Sequence, residues 1–145
     1  MRFAIVVSKF NEEITQGLLS GALQFLTDKK IKCSDKDIFY APGAFEIPLL
    51  AKTLAKKKKY DGVICLGCVI KGDSAHFEFI SLGATIGLQQ ASLESNKPIT
   101  FGILTTYTEE QAMARSRKNA ENKGIEAAHA CWDSARILTQ IKKGS

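Results

Sequence analysis

The sequence predicts a single α/β domain spanning residues 1–145, built as a three-layer α/β/α sandwich around a four-stranded parallel sheet. Four short apolar segments alternate with longer segments whose apolar residues recur at helical spacing. The connections between successive strands are too long for hairpins, which implies parallel pairing through right-handed crossovers with helices on both faces. A content of 45% hydrophobic residues is enough for a substantial core.

The first half of the chain contributes two strands and two helices. Residues 2–8 are almost continuously apolar and predict the first strand, and residues 37–40 predict a short second one. Pro42 and Gly43 mark the turn after the second strand. The two helices are predicted from apolar positions, namely Ile14, Leu18, Leu19, Ala22, Leu23, Phe25 and Leu26 in the first, and Leu49, Leu50, Thr53 and Leu54 in the second.

The turn after the third strand is the first candidate for a ligand site. Residues 63–70 have the pattern of a strand buried on both faces, and a long helix follows the turn. Open α/β sheets bind ligands at this end of their strands, and a helix start favours phosphate. Ser74 offers a hydroxyl and His76 a group that titrates near neutral pH. The turn alone favours ordinary helix capping over a ligand site, because Asp73 and Ser74 are common capping residues.

The second half adds one strand and two or more helices. Residues 99–104 predict the fourth strand, and a helix is expected from Glu109. That helix should break within residues 115–124, and residues 125–142 predict the final helix. His129 lies on this last helix, where a structural role is favoured over a ligand role.

Two side chains near the strand ends leave alternatives open. Phe10 lies between the first strand and helix, where it either caps the core or lines a ligand crevice. Glu46 stands at the first turn of the second helix, where it either complements the helix dipole or contacts ligand hydroxyls.

Composition and motifs exclude several functions. Cys65 and Cys68 have metal-site spacing but lie in one strand, where residues three apart point to opposite faces, so no metal is expected. No phosphate-binding glycine motif for a dinucleotide or nucleoside triphosphate is present, and no cofactor is predicted. The net charge of +5 is modest, and the lysines at 56–59 lack interleaved aromatic residues, so no nucleic-acid partner is predicted. Neither a signal peptide nor a membrane span is visible, which predicts a cytoplasmic protein.

Five motifs in order resemble one enzyme family. They lie at residues 8–11, 42–48, 67–80, 98–104 and 122–128. Together they are similar to 6,7-dimethyl-8-ribityllumazine synthases, which act in riboflavin biosynthesis. The resemblance implies a flavodoxin-like fold. The resemblance implies that 5-amino-6-(D-ribitylamino)uracil condenses with 3,4-dihydroxy-2-butanone 4-phosphate, releasing phosphate and water, without metal or cofactor.

The resemblance also implies a role for each matching residue. Phe10 corresponds to an aromatic ring that stacks on the pyrimidine, and His76 to a proposed proton carrier. Phe101, Arg115 and Lys123 would come from a neighbouring subunit, with Phe101 closing over the ring and Arg115 binding the phosphate. The remaining positions would contact substrate: Asn11 beside the ring, Ala44, Phe45 and Glu46 along the ribityl chain, Val69 and Ile70 at the pyrimidine edge, and Gly72, Asp73 and Ser74 at the phosphate.

Two other functions compete with this interpretation. An archaeal-type riboflavin synthase is disfavoured by His76 and the turn before it. A flavin- or lumazine-binding protein without turnover is disfavoured by the presence of Arg115 together with His76.

The resemblance implies a homo-oligomer, and the sequence favours a free pentamer over a shell of 60 subunits. The link between the last two helices carries four cations against the single acid Glu121. Facing copies of this link would repel one another.

Overall fold

A computed structural model describes residues 1–144 of the chain, and within them four strands alternate with five α-helices. In chain order the elements are β1 (Phe3–Ser8), α1 (Glu12–Asp28), β2 (Ile38–Ala41), α2 (Ile47–Ala55), β3 (Gly62–Ile70), α3 (His76–Ser95), β4 (Ile99–Thr106), α4 (Glu109–Ala114) and α5 (Lys123–Lys143). Short 3-10 turns at Asp35–Asp37 and Ala44–Glu46 precede β2 and α2.

The strands form one parallel sheet in the order β2-β1-β3-β4, which confirms the predicted topology. The chain first adds β2 on one side of β1 and then crosses to the other side for β3 and β4. Every residue of β1 is buried, as its continuous apolar run predicts for a strand covered on both faces.

Helices cover both faces of the sheet, which confirms the three-layer sandwich. Side chains alternate along β1, so Ile5 packs against α1 and α5 whereas Val6 packs against α2 and α3. Cys65 and Cys68 likewise point to opposite faces, and all four cysteines are free thiols.

The buried face of α2 differs from the prediction. Leu49 is 71% exposed and Thr53 is also exposed, so both are wrong as inward positions, whereas Leu54 is buried. The helix begins at Ile47, whose fully buried side chain fixes which face turns inward. The inward residues are Ile47, Ala51, Leu54 and Ala55.

The break before the last helix lies where the sequence predicts it. Helix α4 ends at Ala114, and α5 begins at Lys123, two residues earlier than expected. The reason is Asn122, whose side-chain oxygen accepts hydrogen bonds from the N–H groups of Gly124 and Ile125. Its amide nitrogen also donates to the carbonyl of Gly17 in α1, 3.1 Å away. The end of the link between α4 and α5 is therefore held in place by Asn122.

A polar cluster around Asp37 lies at the opposite edge of the sheet, where the strands begin. Asp37 is 2% exposed and accepts hydrogen bonds from the Arg2 guanidinium at 2.7 Å and the Tyr60 hydroxyl at 2.9 Å. Burial alone would raise the pKa of Asp37, but the hydrogen bonds from Arg2, the Ser34 N–H and Tyr60 hold that pKa below its ordinary value. Burial and the neighbouring Asp37 raise the pKa of Tyr60 to about 12. This cluster joins the starts of β1, β2 and β3 through hydrogen bonds to one buried carboxylate.

Candidate active site

A cavity of about 370 Å³ opens at the carboxyl edge of the sheet. It lies between the ends of β1 and β3, which is the point where the strand order reverses and where open α/β sheets bind ligands. Its walls are Phe10, Asn11, Pro42, Gly43, Ala44, Phe45, Glu46, Cys68, Val69, Ile70, His76 and Ile80. The structure thus brings eight of the predicted site residues into one cavity, which we call the first cavity.

One wall comes from the turn between β1 and α1. Phe10 is 69% exposed and lines the first cavity, so it does not cap the core. Asn11 adopts a left-handed backbone with φ 61°, a conformation that asparagine tolerates better than most residues. Its side-chain nitrogen donates to the Cys68 carbonyl at 3.2 Å. This bond fixes the end of β1 to the end of β3.

The opposite wall is the turn at Ala44–Glu46. The Phe45 ring lies against α3 at Gly83, where an added Cβ would stand 2.9 Å from the ring, so the small residue permits this contact. Glu46 is exposed on the cavity, and within residues 1–144 its carboxylate has no hydrogen-bond partner. That carboxylate is therefore available to a ligand hydroxyl.

The floor and the third wall come from the end of β3 and the start of α3. Val69 and Ile70 close β3, and His76 opens α3 with its side chain on the cavity. The Ser74 hydroxyl accepts a hydrogen bond from the His76 N–H at 3.3 Å, although the N-cap position of this helix is Ala75. Gly72, Asp73 and Ser74 are exposed next to the cavity rather than part of its walls. No atom among residues 1–144 lies within 4 Å of a Cβ added at Gly72, so crowding does not require glycine there.

A second cavity of about 680 Å³ lies along β4 and the start of α5. It contains Phe101, Arg115 and Lys123, which the structure does not bring to the first cavity. The Arg115 guanidinium donates to the Gln111 carbonyl at 3.0 Å, and the Lys123 ammonium pairs with the Glu126 carboxylate at 2.9 Å. Within one chain, the predicted site residues Arg115 and Lys123 thus line a different cavity from Phe10 and His76.

Comparison with known proteins identifies the family. The family model for 6,7-dimethyl-8-ribityllumazine synthase matches residues 1–139. The chain belongs to the 6,7-dimethyl-8-ribityllumazine synthase family. It is also 57% identical over 144 residues to 6,7-dimethyl-8-ribityllumazine synthase 1 of Caulobacter vibrioides, a match that covers 99% of this chain and 94% of that protein.

Some residues that line the two cavities of this lumazine synthase family member were not predicted as site residues. Cys68 contributes its backbone carbonyl to Asn11, and residue type carries no signal for such a contact. Pro42 and Gly43 belong to the family motif at residues 42–48, but they were predicted only as turn residues. In the second cavity, Gln111 forms a capping box with Thr108, a spacing that sequence could have revealed.

Neither a metal centre nor a membrane span emerges from the described chain. Among residues 1–144, no group of three or more histidine, cysteine, aspartate or glutamate side chains is arranged to hold a metal ion. None of the helices in that range combines the length and the apolar character that crossing a bilayer requires. His129 stacks on Phe25 with ring centroids 5.3 Å apart, away from both cavities.

Proposed function

We infer that this chain is a transferase of riboflavin biosynthesis that catalyses the reaction of its family. It condenses 5-amino-6-(D-ribitylamino)uracil with 3,4-dihydroxy-2-butanone 4-phosphate to give 6,7-dimethyl-8-ribityllumazine, phosphate and water. The observation that carries this inference is the first cavity, because it gathers an aromatic ring, a free carboxylate and an imidazole at the switch point of the sheet.

We propose that the first cavity holds the pyrimidine substrate. Phe10 offers an exposed aromatic face to the flat ring, with Asn11 beside it. The backbone of Val69 and Ile70 supplies polar groups to the ring edge, as the last residues of a strand can. Glu46 accepts hydrogen bonds from the ribityl hydroxyls, and Ala44 and Phe45 form the wall along that chain.

His76 is proposed to carry protons. Formation of the imine between the amine and the ketone releases water, elimination releases phosphate, and closure of the second ring onto the remaining carbonyl releases another water. Each step moves a proton, which suits an imidazole because its two ring nitrogens can donate and accept protons. His76 lines the cavity at the start of α3 and can therefore reach the reacting atoms. Holding the two substrates together supplies much of the remaining acceleration.

The phosphate is proposed to bind at the turn formed by Gly72, Asp73 and Ser74. Helix α3 has 20 residues, and its first N–H groups and partial positive charge favour an anion. A phosphate leaving group also needs cations. Arg115 and Lys123 can provide them only from a neighbouring copy, because in their own chain they line the second cavity. Phe101 of that neighbour would close over the ring.

This arrangement makes the active enzyme a homo-oligomer, and we propose a free pentamer in the cytosol. A head-to-tail contact between the first cavity of one copy and the second cavity of the next closes into a ring. The four cations of the link oppose the contacts between rings that a shell needs. Light scattering at moderate salt should report the mass of five 15.9-kDa chains, and a megadalton particle would contradict the proposal.

The function is tested by mixing the purified protein with both substrates and recording lumazine absorbance. We expect turnover in the presence of a chelator, since the proposed residues need no metal. Binding of lumazine without turnover would instead identify a non-catalytic binding protein. Conversion of added lumazine to riboflavin would identify a riboflavin synthase.

A further inference from the structure

Lys71 occupies a position beside the proposed phosphate turn that the mechanism above does not use. It follows β3 directly, and its N–H donates to the Thr106 carbonyl at 2.9 Å, which fixes its backbone. Its ammonium lies 3.0 Å from a carboxylate oxygen of Glu78 and 6.0 Å from the centroid of the Phe77 ring. The ammonium is therefore held alongside the first turn of α3.

Glu78 binds the same kinds of groups that a phosphate would need. It is the third residue of α3, so its own N–H belongs to the first turn, where N–H groups lack partners within the helix. The ion pair with Lys71, and then the hydrogen bond from its own backbone N–H, hold the pKa of Glu78 below its ordinary value. One carboxylate thus engages both a cation and a helix N–H at the edge of the proposed site.

The charges around the turn leave an incoming phosphate with few cations in its own chain. Between residues 71 and 78, Lys71 is the only lysine or arginine, whereas Asp73 and Glu78 are both acidic. With Lys71 paired to Glu78, the turn presents the negative charge of Asp73 to an approaching anion. A phosphate dianion would be stabilised most if it replaced Glu78 as the ion-pair partner of Lys71.

We propose that Glu78 is an internal substitute for the substrate phosphate, which holds Lys71 at the start of α3 in the empty site and releases it to the phosphate group when the substrate binds. Lys71 is then a specificity residue for the phosphorylated substrate, and Glu78 positions it. The inference rests on the proposed function, since that function places the phosphate at this turn. The side chains are 44% and 53% exposed, and an ion pair at such exposure costs little to break. A hydrogen bond from the ammonium to a phosphate is stronger because both partners are charged.

Two substitutions at this pair separate the inference from a merely structural ion pair. Lys71→Met removes the cation, and we expect the KM for the butanone phosphate to rise roughly five- to tenfold. Glu78→Gln removes the competing carboxylate, and we expect the same KM to fall roughly two- to fivefold. Both substitutions delete the same ion pair, so a structural clamp would shift KM in the same direction in both variants. Shifts in the same direction, or no shift in either variant, would overturn the inference.

A second lysine–glutamate pair provides matched controls. Lys52 and Glu94 form an ion pair between α2 and α3 with similar exposure, away from the turn. Lys52→Met and Glu94→Gln should leave the KM for the butanone phosphate unchanged. Lys71→Arg should keep most of the affinity, because the arginine retains the charge.

Inorganic phosphate tests the same exchange without turnover. Titration of the assembled wild-type and variant proteins with phosphate, followed by calorimetry, should give weaker binding for Lys71→Met and tighter binding for Glu78→Gln. If the wild-type protein forms no lumazine, the proposed function fails, while the phosphate titration still decides whether Lys71 and Glu78 exchange. If lumazine forms normally but the two variants bind phosphate equally, the function stands and this inference fails.

Discussion

The first and second cavities offer complementary chemistry. The first presents aromatic and aliphatic walls with one imidazole and one carboxylate, whereas the second presents Arg115 and Lys123 beside the Phe101 ring. The first suits a flat polar ring but lacks the cations that a departing phosphate needs. The second has cations and the aromatic residues Phe101 and Tyr107, but within residues 1–144 it has no imidazole. Under the proposed function, this difference makes the two cavities half-sites that form a complete site only between copies.

The largest expected effect comes from the first cavity. His76→Ala should lower kcat by roughly 10²–10⁴-fold, because the proton carrier is lost. Measurable turnover should remain, since the substrates are still held together.

His129→Ala is the matched control for this substitution. His129 stacks on Phe25 outside both cavities, so its loss should leave the kinetics unchanged. If His76→Ala turned over as fast as the wild-type protein over the whole pH range, His76 would be a structural residue.

An intermediate effect is expected from the second cavity. Arg115→Ala should raise the KM for the butanone phosphate by roughly 30- to 150-fold, because a charge-assisted contact to a partly buried anion is lost. The KM for the pyrimidine should change little. A change in one KM without the other would show that the two cavities bind different substrates.

Arg117→Ala controls for general loss of positive charge from the link. Arg117 is exposed and lies outside the walls of the second cavity, so we expect no comparable change. Equal weakening of both substrates in Arg115→Ala would refute its assignment to the phosphate.

The smallest effect on activity is expected at the opposite edge of the sheet. Asp37→Asn should leave kcat and KM unchanged but lower the free energy of unfolding by about 2–4 kcal/mol, because the carboxylate pairs with Arg2 and Tyr60. Urea unfolding at a fixed protein concentration measures this change. Asp133→Asn, which breaks an exposed pair with Arg136, should cost less than about 1 kcal/mol.

The same cluster predicts a pH dependence of stability. The pKa of Asp37 is lower in the folded protein than its ordinary value, so its pairing stabilises the fold fully above the ordinary carboxyl pKa of about 3.9. This contribution is lost as the pH falls through the folded pKa. The wild-type protein should therefore lose stability below about pH 4 more steeply than Asp37→Asn does, and parallel curves would contradict the account.

Sequence alone predicted the sheet because its signal is strong. The apolar runs of β1 and β3 are long, and a strand covered on both faces leaves little ambiguity. The inward face of the short helix α2 was harder to predict, because nine residues rich in leucine fit more than one such face. Leu49 was misassigned because the face is set by the packing of Ile47, which is not visible in the local pattern.

Sequence predicted eight of the residues that line the first cavity, but not the contacts among them. The side chains of the first cavity follow strand ends, so topology brings them together. Residue type does not show that Asn11 binds a backbone carbonyl, nor that Glu78 holds Lys71 at the start of α3. Those contacts depend on the exact course of two turns.

Mixing two impaired variants tests most directly the central claim that the site is built between subunits. His76→Ala damages the first cavity and Arg115→Ala the second, so each protein alone should turn over slowly. When equal amounts are dissociated together and reassembled, roughly a quarter of the contacts in a randomly mixed ring should join two intact cavities. We predict recovery to roughly a quarter of wild-type turnover at low butanone phosphate. A mixture no more active than the mean of the two variants would contradict a site built between subunits.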